Sequence, residues 1–258
     1  MAREIPMYQE FARIYDSFMD DFDYSAWAEY YLALLRSQGW QGGEICECGC
    51  GTGSLTIELA RRGATLLASD ISEDMLRIAA DKSRRAGVRA RYVRQDMRRL
   101  ALPHRVGAVL CACDGVNYLL TPGDVRSFFA AAHAALRPGG VLAFDISSRY
   151  KLENVLGNGF FGEERESAAY LWQNSYDPEA CRVTMDLTFF VREENGLYRR
   201  FTEQQVQRAH DAQEILAWLA ECGFERAQLY GDRTLELPRE DELRLHFTAV
   251  KPLDAASK

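Results

Sequence analysis

The sequence contains no apolar run approaching the ~20 residues that a membrane-spanning helix requires. Its densest apolar stretch, residues 106–113, has the length of one strand. The opening MAREIPMYQEF lacks the apolar segment of a secretion signal. Seven cysteines are an odd number for a disulfide framework, and a chain of 258 residues needs none. A cytoplasmic, reduced protein without a membrane partner is therefore expected. Positive charge is also short, with 31 Lys and Arg against 38 Asp and Glu, for a net charge of −7. Such a surface repels phosphate backbones, so no nucleic-acid partner is expected. Histidine is sparse, and His104, His133, His210 and His246 show no ligand spacing. Internal repeats and low-complexity segments are missing too. What remains is ordinary for a folded globular chain, 47% hydrophobic and 27% charged. That suits one large domain, or one domain with an insertion.

The residue pattern divides the chain into four parts. Residues 1–40 read as two helices. Met7, Tyr8, Phe11, Ile14, Tyr15, Phe18 and Met19 form one apolar stripe, Ser25 is a candidate cap for the second helix, and Gly39 its stop. Residues 41–150 alternate strands with helices: strands at 45–48, 65–69, 89–94, 106–113 and 141–146, and helices at 54–62, 72–87 and from Thr121 to the Arg137-Pro138-Gly139-Gly140 stop. Such alternation implies right-handed βαβ units and a parallel sheet covered on both faces. Residues 151–210 lose the helical period. Strands at 170–176, 183–191 and 197–208 are predicted there, with Asn195-Gly196 suiting a type I′ hairpin turn. Residues 211–258 return to a helix capped by Asp211, then closing strands at 224–230 and 243–250. The fold expected is α/β: a doubly wound, mostly parallel, seven-stranded Rossmann-like sheet with an inserted antiparallel β-sheet, a substrate cap or dimer surface.

The stretch CECGCGTGS runs from a strand through alternate glycines, Gly49, Gly51 and Gly53, into a helix. Glycine allows sharp turns and close approach of a ligand to the main chain, and the helix start offers free N–H groups. Asp70 ends the next strand, where doubly wound sheets bind a ribose diol. Asp96 follows the third, where an acid accepts from an adenine amine. Glu47 decides which nucleotide is bound. Its carboxylate precedes the loop and would repel a pyrophosphate by roughly 3 kcal/mol at ~6 Å and an effective dielectric of about 20. It favours an ammonium or a sulfonium, which fits S-adenosyl-L-methionine. The missing G-x-G-x-x-G argues further against a nicotinamide dehydrogenase.

The pieces CECGCGTGS, ASDISEDML, RQDMRRL and LRPGGVLAFDI, in that order and spacing, resemble the class I S-adenosylmethionine-dependent methyltransferases over about residues 8–146. This resemblance implies that Gly49, Gly51 and Gly53 shape the methionine end of the site. It also implies that Asp70 holds the ribose, that Ile71 packs on the adenine, and that Asp96 with the Met97 backbone reads the adenine edge. The opening helices and CDGVNYLLT resemble a narrower branch that includes small-molecule N-methyltransferases with an antiparallel insertion. In that branch Tyr15 would lie over the cofactor and Cys113 beside it through its backbone.

On the acceptor side, Asn117 and Tyr118 follow the fourth strand, and Trp172, Tyr198, Arg208 and His210 lie in or near the insertion. These are the substrate candidates, with the insertion as a roof. Cys46 and Cys48 share one face of the first strand, and Cys111 and Cys113 share one face of the fourth, so four sulfurs could lie together. Small buried cysteines are ordinary in parallel sheets, so packing and not a metal is expected. The function expected is methyl transfer from S-adenosyl-L-methionine to a nitrogen or oxygen of a small-molecule acceptor, by a monomer or homodimer. An RNA or protein methyltransferase and a non-catalytic cofactor-binding module are the alternatives.

Overall fold

The computed structural model describes residues 12–18 and 22–254. Met7, Tyr8, Phe11 and Met19 of the opening stripe fall outside them. The described part of that stripe is helix α1, Ala12–Phe18. Helix α2, Tyr24–Ser37, is capped by Asp23 and not by Ser25: the Asp23 carboxylate accepts from Ala26 N at 2.9 Å. A charged acceptor there also meets the positive end of the helix, so the cap lies two residues upstream.

The core strands are β1 (Ile45–Cys48), β2 (Leu66–Asp70), β3 (Arg91–Arg94), β4 (Val106–Cys111) and β5 (Leu136–Ser147). Between them run α3 (Ser54–Arg61), α4 (Glu73–Ala86) and α5 (Pro122–Ala135). After the insertion come α6 (Ala212–Glu221), β10 (Glu225–Tyr230) and β11 (Arg244–Val250). The seven strands lie in the order β3-β2-β1-β4-β5-β11-β10, and β11 runs antiparallel to both its neighbours. This is the doubly wound, mostly parallel sheet foreseen. One face is packed by Phe128, Phe129, Ile215 and Trp218, the other by Trp27, Tyr31, Leu34 and Leu35. Each such side chain contributes about 1.5–3 kcal/mol by leaving water. Ser72, Thr121 and Asp211 cap their helices as predicted, each accepting from backbone N–H groups.

Three boundaries differ from expectation. Helix α5 stops at Ala135, and β5 begins at Leu136, ahead of Arg137-Pro138, because the approach to a proline favours extended backbone. Strand β4 ends at Cys111. Cys113 has left it with φ +57, so the sulfurs divide: Cys46, Cys48 and Cys111 pack with the α5 and α6 side, and Cys113 packs against the α2 side. Among the described residues no group of three or more His, Cys, Asp or Glu is placed to hold a metal ion. The insertion carries four strands, ordered β6 (Phe160–Glu164), β7 (Ala168–Asp177), β8 (Arg182–Arg192) and β9 (Tyr198–Arg208). Edge strand β6 was not foreseen, since FFGEE has neither length nor alternation. The β8–β9 turn is not type I′. Gly196 has φ +81 and donates to Glu193 O at 2.9 Å, while Asn195 stays at negative φ, its side chain accepting from Leu197 N. The longer loop, Glu193 bonded to Leu197, removes the need for a second left-handed residue. No helix among the described residues is long and apolar enough to cross a membrane.

Candidate functional site

Parallel strands deliver whatever follows them to one edge of the sheet. Here that edge opens into a cavity of about 730 Å³ between the core and the inserted sheet. Gly49 and Gly51, at φ +67 and +53, turn the chain after β1 and line it. Glu47 lies on the opposite face of β1 from Cys46 and Cys48, by the two-residue period of a strand. It is 3% exposed and lines the cavity, and its carboxylate accepts a hydrogen bond from Thr56 Oγ1 of α3 at 2.6 Å. No cationic side chain among the described residues pairs with it. Burial therefore dominates and pushes its pKa up to about 7, with Thr56 pulling the other way. A cation entering the cavity would find a carboxylate with no other counter-ion.

Asp70 ends β2 and spends both oxygens on the turns around it, accepting from Gly51 N at 2.9 Å and Ser72 N at 2.8 Å. Burial raises its pKa against those bonds. Ile71 beside it is 53% exposed, an apolar surface at the cavity wall. Asp96 is held by the Arg98 guanidinium, which also bonds Asp124; the bonds from Arg98 to Asp96 keep that carboxyl below its usual range. Met97 completes that wall. Helix α1 is pinned across the glycine loop. Asp16 accepts from Thr52 Oγ1 and Lys82 Nζ, both at 2.6 Å, which sets Tyr15 into the cavity wall.

The far wall rests on a buried carboxylate. Asp145 of β5, 0% exposed, accepts from Tyr31 Oη at 2.5 Å, Cys113 N at 2.7 Å and Asp114 N at 2.9 Å, and pairs with Arg244 of β11. Those two backbone bonds hold Cys113 and Asp114 at φ +57 and +54, a conformation that costs non-glycine residues of order 1–3 kcal/mol each. Asp114 in turn meets Arg244 at 3.1 Å and Gln207 Nε2 of β9 at 2.8 Å. Burial alone would raise Asp114, but Arg244 and Lys151 outweigh it and hold the carboxyl low. Trp172, Met185, Leu187, Gln205 and Gln207 of the insertion form the roof, with Tyr118 donating to Gln205 Oε1 at 2.8 Å.

Five candidates from the sequence lie elsewhere. Gly53 is behind the loop, where a Cβ would meet Ala79 Cβ and Tyr92 Oη at 2.9 Å; its glycine serves helix packing at φ +75. Asn117, 0% exposed, is spent joining Ser147 N and O to Arg208 O. Arg208 closes β9 and donates to Leu120 O, away from the cavity. His210 is buried under Val116 O at 3.2 Å and against Trp218; burial lowers its pKa to about 4, so it is a neutral packing residue. Tyr198 begins β9 opposite Arg192 and is 54% exposed. Conversely, Tyr24, Asp114, Lys151, Gln205, Gln207 and Arg244 line the cavity and were not singled out. Asp114 alone carried a local signal, its place at the end of a strand.

A family described as "Methyltransferase domain" matches residues 45–140. A protein of Geobacillus sp. (strain WCH70), provisionally named a methyltransferase, is 34% identical over 245 residues, 95% of this chain and 99% of its own. An S-adenosylmethionine-dependent methyltransferase from Clostridium acetobutylicum ATCC 824 superposes with a TM-score of 0.85 at 29% identity, over 96% of this chain and 100% of that one. A sugar N-methyltransferase from Streptoalloteichus sp ATCC 53650 shares the fold at a TM-score of 0.76 and 21% identity, over 92% of both chains. The chain belongs to the class I S-adenosylmethionine-dependent methyltransferases. It is an enzyme of that family, and S-adenosyl-L-methionine is its cofactor.

Proposed function

We propose that this enzyme methylates a nitrogen or oxygen of a small-molecule acceptor held beneath the inserted sheet. The cavity shared by core and insertion carries this reading. At about 730 Å³ it falls within the range of about 300–1,000 Å³ that suits small ligands. Insertion residues cover it, which leaves a compact acceptor better accommodated than a nucleic acid or a folded protein. The sugar N-methyltransferase that shares this fold supports the same choice. Within the site, Glu47 would take the cationic methionine end, and Gly49 and Gly51 would admit it to the main chain. Asp70 would take the ribose diol, Ile71 the adenine face, and Asp96 with Met97 the adenine edge. Tyr15 would cover the cofactor and the Cys113 backbone would flank it.

When bound, the cofactor supplies a methyl group activated by a sulfonium. The protein's share is to orient the acceptor and exclude water. Trp172 and Tyr118 would do this from the roof side, Trp172 through its ring and Tyr118 through a hydroxyl already fixed by Gln205. Calorimetry with S-adenosylmethionine and S-adenosylhomocysteine, followed by a panel of amines, phenols and carboxylates, tests the proposal. Turnover of one of these compounds supports it. Turnover confined to tRNA or protein substrates, or tight cofactor binding without any turnover, rejects it. Asp70→Ala is expected to weaken S-adenosylhomocysteine binding by about 1–3 kcal/mol, the range for lost hydrogen bonds to a charged group. Unchanged affinity in the same calorimeter would remove Asp70 from the site.

A further inference from the structure

Among the described residues three cations line the cavity: Arg98, Lys151 and Arg244. Two are fully committed. Arg98 pairs with Asp96 and Asp124, and Arg244 pairs with Asp145 and Asp114. Lys151 is different. It opens the short helix Lys151–Leu156 that leads from β5 toward the insertion, and its backbone N–H is fixed by Ser148 Oγ at 3.0 Å. Its ammonium donates to Ser147 Oγ at 3.2 Å and has no carboxylate of the described residues within ion-pair distance. Asp114 attracts it, yet that carboxylate is already bonded to Arg244 and Gln207. Burial, with the like charge of Arg244, lowers the Lys151 pKa and outweighs the pull of Asp114, Asp145 and Asp232. Apolar side chains line the same cavity: Leu156 on the same helix, and Trp172, Met185 and Leu187 of the insertion.

A desolvated ammonium lining a cavity is best compensated by an oxyanion, which supplies both a hydrogen-bond acceptor and the opposite charge. We infer that Lys151 is the specificity residue of the acceptor end, pairing with a carboxylate or phosphate on an acceptor whose apolar body lies against Leu156, Trp172, Met185 and Leu187. This rests on the small-molecule reading above and narrows it to anionic acceptors. The arrangement divides the cavity electrostatically. The Glu47 end awaits a cation, and the Lys151 end awaits an anion, so the two ligands cannot exchange places without setting like charges together.

The test is calorimetric and needs no knowledge of the natural acceptor. Benzoate, phenyl phosphate and their neutral counterpart benzyl alcohol are titrated into the full-length protein with and without S-adenosylhomocysteine. At least one anion should bind tenfold or more tightly than benzyl alcohol, and which of the two prevails tells carboxylate from phosphate. In Lys151→Met that preference should vanish, while Lys151→Arg should retain it. Both variants should bind S-adenosylhomocysteine as the unmodified protein does, which also reports that they fold. Anions bound no better than benzyl alcohol, or equally well by Lys151→Met, would overturn the inference. So would a tenfold loss of S-adenosylhomocysteine affinity in Lys151→Met that Lys151→Arg restores, since the ammonium would then serve the cofactor carboxylate. An unmodified protein that ignores S-adenosylhomocysteine but prefers the anions would instead count against the assigned cofactor end, leaving Lys151 in place.

Discussion

Replacing Glu47 with Gln is expected to weaken cofactor binding by about 2 kcal/mol at pH 7.5, roughly thirtyfold, the scale of a hydrogen bond to a charged group. The same change should make the empty protein less sensitive to pH. The sign follows from burial. The folded-state pKa is raised from 4.5 to about 7, so between those values the folded protein holds a proton that the unfolded chain has released. Stability therefore falls as pH rises through that window, by about 3 kcal/mol in total at 1.36 kcal/mol per unit. Glu47→Gln lacks that loss. Urea titrations at pH 4.5 and pH 8 should show the unmodified protein losing ground to the variant by that amount. Binding runs the other way. A cationic ligand prefers the ionised carboxylate, so affinity of the unmodified protein should climb between pH 5.5 and 7.5, with proton release on binding, while the variant stays flat. Using both cofactor forms sharpens the result. An equal loss for S-adenosylmethionine and S-adenosylhomocysteine assigns Glu47 to the ammonium, and a loss confined to the former assigns it to the sulfonium. A flat profile in the unmodified protein would show that Glu47 meets no cation.

That carboxylate was readable before any fold was known, and so were Asp70 and Asp96, for one physical reason. In a parallel sheet each strand ends on the same edge, so residues just past successive strands converge whatever the strand order. Gly49, Gly51, Asp70, Asp96 and Cys113 all reach the cavity by this rule. The other half of the site obeys no local rule. Arg244 meets Asp145 across 99 residues, and Gln207 meets Asp114 across 93. The first contact exists because β11 enters the sheet beside β5, with His246 opposite Asp145; no hydrophobic period encodes that choice. The second depends on how the insertion folds back over the core. Asn117, Arg208 and His210 misled for the converse reason. A polar side chain near a strand end looks the same in sequence whether it faces a ligand or satisfies buried backbone, and here all three face backbone carbonyls in the seam between core and insertion. Arg208 lies in that seam as well, its carbonyl accepting from Asn117.

Asp145 carries the largest structural prediction. Asp145→Ala removes at once the buried partner of Arg244 and the acceptor of two backbone N–H groups. Stripping one partner from a buried ion pair costs about 3–5 kcal/mol, because the remaining charge stays desolvated. Urea unfolding should register a loss of that size. Arg244 retains Asp114 and the face of Trp27, at 5.1 Å from the ring centroid, so the lower end of the range is expected. The double variant Asp145→Leu with Arg244→Met separates two roles. Removing both charges ends the penalty at that pair but leaves Asp114 with Gln207 and the charge of Lys151, so the double variant should regain part of the stability, and the sum of the single changes should overestimate its loss. S-adenosylhomocysteine affinity should stay low in it. Leucine cannot accept from Cys113 N and Asp114 N, and the strain of two successive left-handed residues in the cavity wall loses the two bonds that oppose it. Stability recovered together with affinity would reduce Asp145 to a charge partner. Stability recovered without affinity would establish it as the residue that shapes the wall between cofactor and acceptor.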